Sequence, residues 1–94
     1  MGVRFKMTEK ITVLSPNGSS SEVDYPSNLK GFQTLVGGYI ELVYAKNKVF
    51  VVNEEGIPIG LEHNPKASEM AKQHLVGTVL LLEGPALARF KAEE

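Results

Sequence analysis

Tyr39-Ile40-Glu41-Leu42-Val43-Tyr44-Ala45, then Lys46-Asn47-Lys48, then Val49-Phe50-Val51-Val52-Asn53 is the stretch that decides the fold. β-Branched and aromatic residues fill both outer runs, and three polar residues join them, which reads as a β-hairpin. Alternation assigns Ile40, Leu42 and the small Ala45 to one face, and Tyr39, Glu41 and Val43 to the other. On the N-terminal side, Leu29, Phe32, Leu35 and Val36 share one face of a helix. Ser27 or Asn28 is its N-cap, and Gly37-Gly38 ends it, because glycine takes a left-handed C-cap without steric cost. Gly31 costs that helix about 1 kcal/mol relative to alanine, so it depends on its packing. On the C-terminal side Glu54-Glu55-Gly56 is a turn. Ile57, Ile59 and Leu61 then alternate as a short extended piece, placed on an edge because Pro58 has no N–H to donate.

Asn64-Pro65 opens a second helix, with Asn as cap and Pro where a missing N–H is harmless. Ala67, Met70, Ala71, His74 and Leu75 form its buried stripe, and Gly77 terminates it. Thr78 to Glu83 is the last strand, and Val79-Leu80-Leu81-Leu82 marks it as central and covered on both faces. Near the start, Ile11, Val13 and Leu14 make a first strand, stopped by Ser15-Pro16-Asn17-Gly18. Ser19-Ser20-Ser21 reads as mobile surface chain and Glu22-Val23-Asp24-Tyr25 as a strand fragment. The order of the main elements is strand, helix, strand, strand, helix, strand. This is an α+β class, with the ferredoxin-like split βαβ arrangement expected: an antiparallel or mixed sheet with both helices on one face. Residues 1–9 read as a flexible leader, 10–85 as a single domain, and 86–94 as a tail or short helix with Leu87 and Phe90 at helical spacing.

With 94 residues, 43% hydrophobic and 22% charged, the chain has ordinary globular composition. Ten Lys plus Arg against eleven Asp plus Glu gives a net charge of −1, which argues against nucleic acid as a partner. No apolar run approaches the roughly 18 residues of a membrane span. With no cysteine, thiolate metal sites and cysteine nucleophiles are excluded. Gly2 invites myristoylation, but Lys6 stands where the motif wants Ser or Thr. Asn17-Gly18-Ser19 fits a glycosylation sequon, yet with no secretory signal it reads as a turn. A cytoplasmic protein is expected, in the host cytoplasm if phage-encoded.

Leu35-Val36-Gly37-Gly38-Tyr39-Ile40-Glu41, Val51-Val52-Asn53-Glu54-Glu55-Gly56, Gly60-Leu61, Asn64-Pro65-Lys66-Ala67-Ser68 and Leu75-Val76-Gly77-Thr78-Val79-Leu80 occur in that order. Together they resemble a family of small proteins of unknown function frequent in bacteriophages, plasmids and phage-rich bacterial genomes. The resemblance implies a phage-type origin and supplies no catalytic residue.

The residues themselves hold no catalytic set. Only His63 and His74 are available as imidazole bases; His74 is assigned to the buried stripe, and no nucleophile–base pair suggests itself. His63 and Glu62 are neighbours that point apart on an extended chain, so no metal site and no cofactor is expected. Asn64, Lys66 and Ser68 combine free helix-start N–H groups, a cation and a hydroxyl, the ingredients of a phosphate site; ordinary capping accounts for the same residues. Tyr39 and Tyr44 suit stacking on a base, and Asn53 and Glu54 suit hydrogen bonding to a sugar or base edge; packing residues and a solvated turn are the plainer readings. The expected function is non-catalytic: a homo-oligomeric phage accessory protein that sequesters a nucleotide-derived immune signal. The alternative is an adaptor that masks a host defence protein through a sheet edge or the Pro58 segment.

Overall fold

The computed structural model describes residues 9–93, so residues 1–8 of the expected leader lie outside it. The hairpin forms as expected: β3 (Ile40–Ala45) pairs antiparallel with β4 (Lys48–Asn53), from Ile40 opposite Asn53 to Ala45 opposite Lys48. The connection tightens to Lys46-Asn47, with Asn47 left-handed at φ 65°, a conformation asparagine tolerates better than most residues. Ile40 and Leu42 pack on one face, while Val43 packs on the other and takes Ala45 with it, as strict alternation requires.

β1 (Lys10–Leu14) pairs with β2 (Ser20–Asp24). Part of the serine run is therefore a strand, with Leu14 opposite Ser20 and Val13 opposite Ser21. Asn17 shapes the turn before it, its Oδ1 accepting from the backbone N–H and the hydroxyl of Ser19. β5 (Val79–Leu82) is fully buried and central, as its four apolar residues predict. The sheet order is β2-β1-β5-β4-β3 and every pair is antiparallel.

The α+β class stands, but the ferredoxin-like arrangement does not. That arrangement joins parallel strands through each helix, whereas here β4 and β5, the strands that the second helix joins, are antiparallel neighbours in the sheet. The helices divide as well. α1 (Leu29–Val36) and α3 (Gly84–Glu93) cover one face, where Phe32, Val36, Ala86 and Leu87 meet Ile11, Val49, Val51, Leu80 and Leu82. α2 (Pro65–Ala71) covers the opposite face, where Ala67 meets Leu14, Phe50, Val52, Val79 and Leu81. The fold has three layers with the sheet in the middle, and β4 and β5 present apolar residues to both sides.

Asn28 caps α1, its Oδ1 accepting from Gly31 N–H at 3.0 Å, and Gly37 ends it at φ 83°. α3 is fixed to the β1–β2 side. Arg89 binds Glu9 at 2.9 Å and Glu93 at 3.1 Å and lies 4.1 Å over the Tyr25 ring. Tyr25 and Phe90 both meet the Phe32 ring edge-on. Burial first, and then the hydrogen bond to Glu93, push the Tyr25 phenol up to about 12. A hydrogen bond to its own backbone N–H, then the Arg89 guanidinium, holds the Glu9 carboxyl below its ordinary value.

Two expected elements differ. α2 stops at Ala71, where Lys72 turns left-handed at φ 60° and its N–H bonds Ser68 O. His74 is therefore an exposed residue beyond the helix and not part of a buried stripe, and Gly77 ends no helix. Residues 57–60 are turns and lead into Leu61 without forming an extended edge piece, closed by Ile59 N–H to Glu55 O, Gly60 N–H to Ile57 O and Leu61 N–H to Gly56 O.

Candidate functional site

The seven candidate residues fall into three places. Tyr39, Asn53 and Glu54 meet where α1 ends and β4 runs into the following loop. Asn53 is 7% exposed. Its Nδ2 donates to Val36 O at 3.2 Å and its Oδ1 accepts Glu55 N–H at 2.8 Å. It thus satisfies a carbonyl left over at the helix end and sets the path of the loop. Gly38 is needed there, because an added Cβ would stand 2.9 Å from Asn53 Nδ2. Glu54 N–H donates to Tyr39 O at 2.8 Å, continuing the hairpin by one bond while the tyrosine ring, 69% exposed, stands in solvent.

Asn64 caps α2, and Lys66 and Ser68 lie on it. Asn64 has no exposed surface; its Nδ2 donates to Leu14 O at 3.0 Å and Gly77 O at 2.8 Å, and its Oδ1 accepts Ala67 N–H at 3.1 Å. Ser68 Oγ donates to Leu75 O and accepts Leu75 N–H. Both side chains are occupied by the fold, and of the three only Lys66 faces solvent. Tyr44, 63% exposed, stands alone toward the far end of β3, opposite Val49. It lies five positions along the chain from Tyr39, about 16 Å in extended conformation, so the two rings cannot flank one base.

The loop after β4 divides two depressions. On one side, a groove of about 460 Å³ is lined by Lys30, Gln33, Gly37, Tyr39, Glu55 and Ile59, among others. On the other, a cavity of about 260 Å³ is lined by residues that include Glu41, Glu54, Ile57, Pro58 and His74. Between them Ile57 and Ile59 are 66% and 59% exposed. The base of the loop is anchored: Gly56 N–H bonds Asn53 O, and a Cβ on Gly56 would meet Val76 Cγ2 at 2.8 Å. Leu61 packs against Gly77, which is left-handed at φ +75°.

Sequence reasoning missed the outward display of Ile57 and Ile59. The signal that marks it is a proline inside an apolar triplet framed by Gly56 and Gly60, a pattern that fits a turn better than a strand. It also missed Lys30, Gln33 and Glu55, whose meeting depends on how α1 docks. Among the described residues no group of three or more His, Asp or Glu side chains is placed to hold a metal ion, and no helix is long and apolar enough to cross a membrane.

No curated protein and no solved structure matches this chain. Residues 7–90 match the family described as a domain of unknown function, DUF3846, a span running from before β1 into α3. The chain that folds into this three-layer domain is a member of the DUF3846 family.

Proposed function

We propose that this protein is a non-catalytic accessory protein of the kind carried by phages and plasmids, and that it acts by holding a host defence protein. The observation that supports this is the loop carrying Ile57, Pro58 and Ile59: apolar, exposed, and held in one conformation by its own backbone hydrogen bonds. Leaving an isoleucine in water forgoes about 1.5–3 kcal/mol, and an apolar cluster differs from scattered single residues in marking a contact surface. Pre-ordering lowers the entropy that binding must overcome. β3 lies beside this loop at the edge of the sheet, where a partner strand can add to its free backbone groups. Capture experiments with immobilised protein test the reading. A host protein retained by wild type and lost from Ile57→Asp/Ile59→Asp supports it; identical retention by both contradicts it.

A second reading, sequestration of a nucleotide-derived signal, draws on one feature, the exposed Tyr39 ring on the rim of the larger groove beside Lys30 and Glu55. Base stacking on such a ring is worth about 1–3 kcal/mol. Asn53, Asn64 and Ser68 are already hydrogen-bonded internally, so phosphate recognition falls to Lys30 or Lys66. The groove is open, and a second copy of the chain would be needed to enclose a ligand. Thermal stabilisation by a cyclic nucleotide, lost on Tyr39→Ala, would favour this reading over the first.

A further inference from the structure

The turn that ends α2 brings the chain's two histidines together. His63 forms an antiparallel bridge with Val76, flanked by Asn64 N–H to Leu75 O at 2.9 Å and Gly77 N–H to Glu62 O at 2.7 Å. In that register residues 63 and 74 are diagonal neighbours across the pair, on the same face. Their rings are nearly parallel, 7° apart in plane with centroids 4.8 Å apart, and the two Nδ1 atoms are 3.1 Å apart. Both side chains are exposed.

The backbone beneath them is fixed. Asn64, next to His63, is tied to both β1 and the segment before β5 through its side chain. Leu75, next to His74, has its N–H and its carbonyl both bound by Ser68 Oγ. Two of the three residues that sequence reasoning offered for phosphate, Asn64 and Ser68, thus serve to hold the two histidines at one spacing.

We infer that His63 and His74 form a two-imidazole binding site for a divalent transition-metal ion such as Zn²⁺, Ni²⁺ or Cu²⁺. At metal–nitrogen bonds of about 2.0–2.1 Å, two imidazole nitrogens on one ion are about 2.9 Å apart at a right angle and about 3.4 Å apart at the tetrahedral angle. The observed 3.1 Å lies between these values. In the metal-free pair one Nδ1–H faces the other Nδ1. When an ion takes both Nδ1 lone pairs, that ring's proton moves to its Nε2, so the exchange is balanced without an added acid or base. Exposure leaves each ring free to turn about its side-chain bonds and aim at the shared ion. Water completes the coordination shell. His74 also lines the smaller cavity with Glu41 and Glu54, whose carboxylates favour a nearby cation. Imidazole donors select Zn²⁺, Ni²⁺ and Cu²⁺ over Mg²⁺ and Ca²⁺, and with two protein ligands the ion exchanges readily.

Calorimetric titration of the full, tag-free chain with ZnCl₂ and NiCl₂, with MgCl₂ and CaCl₂ as controls, tests this. Saturable binding of the transition metals alone is expected. His63→Ala and His74→Ala should each weaken it by about tenfold or more, since losing even an outer-shell partner costs that much, with the melting temperature kept because both side chains are exposed. No saturable binding, or binding that survives either substitution, overturns the inference.

Discussion

Asparagine and aspartate cap a surface helix about equally well. Asn64 is asked for more, because its amide nitrogen supplies two donors to the buried carbonyls of Leu14 and Gly77. Asn64→Asp keeps the capping oxygen but turns a second oxygen toward those carbonyls. It should therefore destabilise at least as much as Asn64→Ala, by about 3 kcal/mol in urea unfolding. An aspartate variant as stable as wild type would return Asn64 to ordinary capping. Tyr25 supplies a second test. Its phenol, normally ionising at 10.0, is held up to about 12 in the fold by burial and by Glu93. The folded chain keeps a proton that the unfolded chain has lost, so this contribution is complete below pH 10 and fades as pH rises toward 12. Tyr25→Phe should flatten the fall in melting temperature across that window. The residue types at Asn64 and Tyr25 were plain in the sequence; their partners, 50 and 68 residues away, were not.

Gly31 shows the same limit at the level of a whole element. Propensity alone says alanine should strengthen α1. In the structure a Cβ at Gly31 would come 2.7 Å from Pro26 Cβ, a side chain with little freedom to move. Gly31→Ala should therefore lower stability by about 1–3 kcal/mol where propensity predicts a gain of about 1 kcal/mol, and thermal unfolding decides the sign. Elements written in local pattern were legible: the β3–β4 hairpin, the Asn64 cap of α2, the α1 cap to within Ser27 or Asn28, the Gly37 stop, and the doubly covered β5. β2 was read as a fragment because serines and charges carry weak strand preference, and pairing to β1 overrides that. α2 was read too long because Lys72 takes a left-handed turn without the glycine that usually announces one. That error hid the approach of His63 to His74, which no periodic pattern encodes.

For the molecule as a whole, element order gave the α+β class but not the arrangement of strands. β1 lies beside β5 because the chain closes its sheet from both ends onto the most apolar strand, and α2 crosses to the far face because Phe50, Val52, Val79 and Leu81 leave that side apolar. The candidate site was legible in part. Tyr39, Asn53 and Glu54 do converge, while Asn64 and Ser68 are internal and Tyr44 stands apart. The outcome is a domain whose polar candidates mostly hold the fold together, and whose anchored loop presents Ile57, Pro58 and Ile59 to solvent. Quantitative capture of host proteins by wild type and by Ile57→Asp/Ile59→Asp, with equal melting temperatures verified first, tests that account most directly. The account predicts one protein held in fixed stoichiometry by wild type and released by the double substitution; the same capture by both would contradict it.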